Sequence, residues 1–417
     1  MLFERQSMSK VIVIGAGAAG LIAAGFAAQN GNEVILLERN PRPARKLMIT
    51  GKGRCNVTHF TTLINDLIEA VPVNGRFLYS AFTRFMPADT MDFFEELGVP
   101  LIVERGDRVF PESQKAVDIV DALVKFAKQN KVKIIVGRAK HFNTENGIIK
   151  AVITEDNEEI SGDDFIVATG GMSYPLTGST GDGYSLAKEL GHTIITPKPS
   201  LVPLEISEEW CADLQGLSLR NVSISIRNIN TYTEIYKDFG EMLFTHFGVS
   251  GPIILSASSH IRDCKSGQYI IELDLKPALS REQLDARILR DIAEFANKTL
   301  NNALVKLLPK ALIPVVLDLA DLNPNIKANQ LTKEMRSDLV ETLKCMTMTI
   351  EGFRPIEEAI VTSGGVSANE IDPKTMRSKW CENLYFAGEV IDVDAYTGGY
   401  NLQIAFSTGK LAGSSIY

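Results

Sequence analysis

Lys10-Val-Ile-Val-Ile14, Gly15-Ala-Gly-Ala-Ala-Gly20, an alanine-rich run from Leu21 to about Gln29, and Glu33-Val-Ile-Leu-Leu-Glu38 follow one another within about thirty residues. The first and last stretches are continuous apolar runs, the pattern of parallel strands buried on both faces. The run between them is a helix ending near Gly31, so the whole reads as one βαβ unit. Its turn carries Gly15-x-Gly17-x-x-Gly20, and an acidic residue, Glu38, ends the next strand. In that context each residue has a task. Gly15 permits the tight turn, Gly17 lets backbone approach a pyrophosphate, and Gly20 lets the helix pack closely on the strand. Ala16, Ala18 and Ala19 sit where the helix start offers free N–H groups and partial positive charge. Glu38 would accept from an adenosine ribose and repel a 2′-phosphate, which favours FAD or NAD over NADP here. Arg39 follows it. The basic turn ending in Lys46 either neutralises the pyrophosphate or is simply solvated.

Outward from this unit, residues 62–130 read as helices broken by Pro72, Pro87, Pro100 and Pro111. Strands resume at Val132–Val136 and, after a hairpin at Asn146-Gly147, near Ile148–Thr154; Phe165–Thr169 is a further buried strand. Beyond residue 193 the texture changes. Pro197, Pro199 and Pro203 read as a linker, and Val222, Ile224 and Ile226 alternate with polar residues, as half-buried antiparallel strands do. Ser280-x-x-Gln283 is a capping box, followed by Leu284, Ile288 and Ile292 on one helical face, and a second helix starts near Thr332. Leu384-Tyr-Phe-Ala-Gly388 returns to the first texture. The fold class is therefore α/β: a Rossmann-type dinucleotide-binding domain (8–193 and 351–417) interrupted by an antiparallel β domain (194–278) and a small helical domain (279–350).

The 417 residues are 45% hydrophobic and 23% charged, which excludes a disordered or fibrous chain. A net charge of −8 argues against nucleic acid or an anionic membrane as a partner. Five scattered cysteines and five scattered histidines offer no metal-ligand spacing and no disulfide framework. No apolar run has a membrane helix's length and no signal peptide is legible, so a cytoplasmic protein is expected. Residues 1–7 read as a short leader.

Three further stretches point to FAD. Gly51-Lys-Gly-Arg-Cys-Asn-Val-Thr58 follows the ribose strand, where Gly53 permits close approach and Asn56 offers a donor. Arg54 reads as a flavin anchor, with a substrate-anion clamp as the other reading; Cys55 reads as a small packed residue more readily than as a redox thiol. Thr169 and Gly170 end a strand, and Ala139 completes that wall. Gly388 and Glu389, then Gly399, Tyr400, Asn401 and Leu402, form a strand end and a helix start that can meet a flavin edge where negative charge develops on reduction.

These stretches, with Thr180-Gly-Asp-Gly183 and Phe244-Thr-His-Phe-Gly-Val-Ser-Gly-Pro252, resemble the YhiN/BaiN-like FAD-dependent oxidoreductases. That group lies within the two-dinucleotide-binding-domain flavoproteins and includes bacterial aminoacetone oxidase and a bile-acid ene-reductase. The resemblance spans nearly the whole chain. It departs at Lys52, where the family often has Gly, and at His59, where it often has Asn. It implies non-covalent FAD, a small-molecule substrate, and either of two reactions. One is NAD(P)H-dependent reduction of a conjugated C=C in a hydrophobic ketone; the other is oxidation of an amine such as aminoacetone by O₂. A non-catalytic or RNA-modifying flavoprotein is the remote third. No second Gly-x-Gly-x-x-Gly follows a strand, so NADH or NADPH would dock only transiently. His246, in a glycine- and proline-rich turn of the insert, is the candidate proton donor, with turn-shaping as its other reading.

Overall fold

The computed structural model describes residues 8–261 and 264–417; the reading of residues 1–7 as a leader falls outside them. Lys10–Ile14 is the middle strand of a five-stranded parallel sheet. It pairs with Glu33–Glu38 on one side and with Asp164–Val167 on the other. Lys133–Val136 and Leu384–Phe386 form the edges. Because chain direction across the sheet reverses at the first strand, its carboxyl end opens a crevice of the kind that binds ligands in such sheets. The helix Ala18–Gln29 is buried along most of its length. Against it lies the last helix, Tyr400–Ser414. A Cβ at Gly409 or Gly413 would come 2.5 or 2.2 Å from the carbonyl oxygens of Ala19 and Ala23, so those glycines let the two helices touch backbone to backbone.

Two local expectations give way. The stretch read as broken helices contains an antiparallel pair, Leu101–Glu104 with Arg108–Pro111, extended by the short strand Thr58–His59. Leu-Ile-Val-Glu is too short a run for its period to speak for a strand over a buried helical turn. Pro87 does not break a helix but begins one, Pro87–Glu96, where its missing N–H costs nothing. Two of the three prolines read as a linker, Pro197 and Pro199, lie in the strand Ile194–Ser200, whose one partner among the described strands is Val361–Val366, and Pro203 follows it. A strand with one neighbour can seat proline by turning its N side away from the ladder.

The chain forms two units. One comprises the residues up to Ser200 together with Pro355–Tyr417, the other Leu201–Arg354. In the second, six strands close a barrel in the order Leu204–Ile206, Gly248–Ser250, Glu234–Thr245, Ser218–Asn228, Tyr269–Asp274 and Met346–Phe353. The helix Arg281–Glu294 carries the capping box in full: Ser280 Oγ accepts from the Gln283 amide, and the Gln283 side chain accepts from the Ser280 amide. Its Leu284 and Ile288 share one core with Ile224 and Leu273 of the barrel, so β and helical parts bury one common interior. No described helix is long and apolar enough to cross a membrane.

Candidate active site

Three glycines build the turn at the sheet's crevice, each for its own reason. Gly15 has φ +99°, and a Cβ there would lie 2.6 Å from the Ala168 carbonyl oxygen. Gly20 meets the opposite side of the turn, where a Cβ would be 1.8 Å from the Gly15 oxygen. A Cβ at Gly17 would meet no described atom within 4 Å. Two glycines therefore hold the strand ends and helix together, and the third leaves the helix N-terminus open for an anion.

Glu38 is buried and fastens this turn. Its Oε2 accepts from the Ala16 amide at 2.8 Å, and its Oε1 accepts from the backbone and side-chain nitrogens of Asn40, both at 2.8 Å. A carboxylate has about four lone-pair positions, so roughly one remains for a ribose hydroxyl. Beyond it, Arg138 donates to both oxygens of Asp182 at 2.8 Å, and Arg39 reaches Asp182 at 3.3 Å and Thr180 Oγ at 2.5 Å. Burial would raise the Asp182 carboxyl, but the Arg138 and Thr180 hydrogen bonds and the Arg39 charge outweigh it and hold it below its ordinary range.

The cavity over this turn is lined by Gly15, Gly17, Ala18, Ala19, Glu38, Arg39, Lys46, Ala139, Thr169, Gly170, Gly388, Glu389, Asn401 and Leu402, all expected from sequence. Asn40, Thr50, Arg138, Ser179, Asp182, Val361 and Val393 line it as well, beyond what the sequence pattern predicts. Thr180-Gly-Asp-Gly183 hinted at Asp182; nothing local marks Arg138, whose partner is 44 residues away. Lys46 donates to Glu389 at 2.7 Å and to Ser173 at 2.5 Å, so its charge is already compensated. Asn401 binds the amide and carbonyl of Ala395 and braces the loop before the last helix.

The remaining expected residues lie off this lining. Ala16 and Gly20 are buried in the turn itself. Gly53, Arg54, Cys55 and Asn56 belong to the loop after Ile49, where Gly53 has φ +82° and Cys55 +61°. Arg54 stacks 4.0 Å over the Phe110 ring and donates to Glu104 and Gln114. Cys55 is fully buried, and burial pushes its thiol up to about 12. Gly399 caps the last helix with φ +104°; a Cβ there would lie 2.3 Å from the Thr58 carbonyl carbon. Tyr400 begins that helix. His246 is exposed on the second unit, in the two-residue turn between the paired Thr245 and Gly248, its ring edge-on to Phe247 at 5.0 Å.

The cradle fits an FAD. The Gly17 side of the turn is open for the pyrophosphate. Thr169 Oγ, buried in the cavity wall, has no partner among the described residues, and the strand-end glycines Gly170 and Gly388 have positive φ.

A family model described as HI0933-like protein Rossmann domain matches residues 9–415. The chain is 30% identical over 416 residues to the 3-dehydro-bile acid delta(4,6)-reductase of Clostridium scindens, taking in 97% of this chain and 98% of that one. It is also 30% identical over 402 residues to the ribosomal RNA dihydrouridine synthase of Escherichia coli, 95% of each. Among solved structures, the open conformation of a flavocytochrome c3 fumarate reductase aligns with a TM-score of 0.53 at 17% identity, over 99% of this chain and 78% of that one. A 3-ketosteroid delta1-dehydrogenase from Sterolibacterium denitrificans aligns at 0.52 and 11% identity, over 99% of both chains. With these two structures the chain shares a fold.

Proposed function

The chain belongs to the HI0933-like Rossmann family of FAD-dependent oxidoreductases, and from that premise we propose that it reduces a carbon–carbon double bond conjugated to a carbonyl. One observation carries this. Two relatives at equal identity over nearly their whole lengths are named for a bile-acid delta(4,6)-reductase and a dihydrouridine synthase. A 3-keto-4,6-diene and a uracil ring share one reactive unit, an electron-poor C=C next to C=O.

FAD, when bound, carries the hydride. The chain's own residues hold and position it. The helix start at Gly17–Ala19 faces the pyrophosphate, Glu38 takes the ribose, and Arg39, Arg138 and Asp182 close the far end. Gly53, Arg54, Cys55, Asn56, Gly399 and Tyr400 are assigned to the flavin end. NADH or NADPH is the proposed reductant. His246 is the proposed proton donor to the carbon opposite hydride delivery.

The net charge of −8 favours a small hydrophobic ketone over RNA as the substrate; the dihydrouridine synthase relative favours uridine in RNA as the second reading. Anaerobic stopped-flow tests both. The holoenzyme is reduced with NADH or NADPH and then mixed with a 3-keto-4-ene steroid acid or with uridine-containing rRNA fragments. Reoxidation by one class and not the other assigns the substrate. Bleaching by aminoacetone, with reoxidation only by O₂, would replace the proposal with an amine oxidase. His246→Ala should slow turnover by roughly 10²- to 10⁴-fold with flavin reduction intact; a wild-type rate in His246→Asn would return His246 to a turn-shaping role.

A further inference from the structure

The last helix meets the cofactor cavity on one side only. Asn401, Leu402, Ile404 and Ala405 of Tyr400–Ser414 line it, and at 3.6 residues per turn these four share one arc of the helix. Gln403 and Ser407, one turn apart, project from the opposite face, where both are fully buried. Resting on the assignment of this helix start to the flavin end, we infer that Gln403 is a positioning residue. Its amide fixes the rotation of the helix and the path of the Gly51–Thr58 loop together, and so holds the helix start against the cofactor.

The amide joins four segments of the chain. Gln403 Nε2 donates to the Phe85 carbonyl at 2.8 Å and to Ser407 Oγ at 2.9 Å, and Ser407 Oγ donates in turn to the Phe85 carbonyl at 2.8 Å. Phe85 ends the helix Tyr79–Arg84, where carbonyls lack helical partners. Gln403 Oε1 accepts from Thr58 Oγ at 2.6 Å and lies 3.0 Å from Thr90 Oγ, in the helix Pro87–Glu96. The Phe85 carbonyl can only accept, so the amide nitrogen must face it and the amide oxygen must face the two hydroxyls. An amide has two donors and two acceptor positions, and all four are used. A turn of the helix about its axis, or a slip of the strand Thr58–His59, would therefore strand at least one buried polar group, which is costly.

Thr58 anchors the loop. Its hydroxyl has Gln403 as its one partner among the described residues, and its backbone pairs with Val109 while leaving no room for a side chain on Gly399. At the other end of the loop, Thr50 lines the cavity. The loop is thus set into the cavity wall at one end and tied at the other, through Gln403, to a helix that lines the same cavity. The first bond within that helix runs from the Gln403 amide to the Gly399 carbonyl at 3.1 Å, so the backbone N–H groups of Tyr400, Asn401 and Leu402 have no partner within it. Such a helix start stabilises negative charge, which a flavin gains at its N1–O2 edge on reduction. The placement of the helix start is therefore legible in the flavin's reduction potential.

The test separates holding the fold from placing the helix. Gln403→Met keeps the side chain's length and removes the amide. The Phe85 carbonyl retains Ser407 and Thr90 retains the Met86 carbonyl at 3.2 Å, so Thr58 alone is left without a partner. Adding Thr58→Val removes that orphan, and apolar replacement of both partners is close to neutral for stability. Wild type, Gln403→Met, the double variant and Asn401→Ala, a direct probe of the helix start, are loaded with FAD. Tm is measured, and the two-electron midpoint potential is read by equilibrium reduction against a reference dye. Gln403→Met should lower Tm by about 2–6 °C, and the double variant should return it close to wild type. In both, reduced FAD should lose about three- to tenfold in affinity relative to oxidised FAD, a potential about 14–30 mV lower; Asn401→Ala should lower it as well. A double variant with both Tm and potential of the wild type overturns the inference and leaves Gln403 a stabilising contact. A potential moved by Asn401→Ala but by neither Gln403 variant overturns the inference alone. One moved by none of the three overturns it and also takes the helix start away from the flavin end.

Discussion

Two glycine-bearing turns of the first unit, Gly15–Gly20 and the loop Gly51–Asn56, look alike as sequence and are built on different principles. In the first, Gly15 and Gly20 are required because other backbone occupies the space: the missing Cβ of Gly20 would sit 1.8 Å from an oxygen. In the second, Gly51 has φ +56° and a Cβ there would come 3.1 Å from the Asn56 backbone nitrogen, but Gly53 is required by the dihedral alone. Gly53 has φ +82° with its nearest neighbour 4.0 Å from a Cβ, and Lys52 and Cys55 adopt positive φ beside it without being glycine. The first turn is a packed joint, clasped by Glu38; the second is a bent path held by what surrounds it, with Arg54 pinned between Phe110, Glu104 and Gln114. A glycine pattern therefore says where a chain bends. It does not say whether the bend can bear a side chain.

The contrast is breakable. Gly20→Ala should have the largest effect: the helix start must move off the strand end, costing about 3 kcal/mol or more and abolishing FAD retention. A yellow variant with wild-type Tm would break the packed-joint account. Glu38→Arg should weaken FAD by ~10- to 100-fold, the loss of charged hydrogen bonds each worth about 1.5–3 kcal/mol. Because Glu38 also holds the Ala16 amide, Tm should fall even without cofactor; an unchanged apoprotein Tm would confine Glu38 to the ribose. Gly53→Ala should cost only about 1 kcal/mol of backbone strain and move the FAD dissociation constant by less than threefold. A loss as large as that of Gly20→Ala would erase the distinction between the two turns.

The smallest effect is acidic. The folded Asp182 carboxyl lies below its ordinary pKa of 3.8, so the unfolded chain binds more protons as pH falls through this range. Its contribution is present above pH ~4 and is lost as pH drops through the folded value. Asp182→Asn should flatten that limb of a Tm–pH profile below about pH 4, and an unchanged slope there would mean that the Asp182 carboxylate adds nothing to stability.

What the sequence by itself determined is the βαβ core, the place of Glu38 at the end of its second strand and the start of the capped helix at Ser280. Those depend on contacts within thirty residues, where an apolar run, a glycine or a cap acts on its own neighbours. Ser280-x-x-Gln283 was legible for that reason: both hydrogen bonds close within one helical turn. Only the tertiary structure decided the rest of the site. Arg138 meets Asp182 across 44 residues, Lys46 meets Glu389 across 343, and the cap of the last helix at Gly399 meets the Thr58 backbone from the other end of the chain. Short runs such as Leu101–Glu104 became strands because a partner strand offered its hydrogen bonds, and the barrel closed because Leu204–Ile206 pairs on both edges. A ladder or an ion pair has half its energy on a distant segment, and no local pattern records which segment the fold will bring.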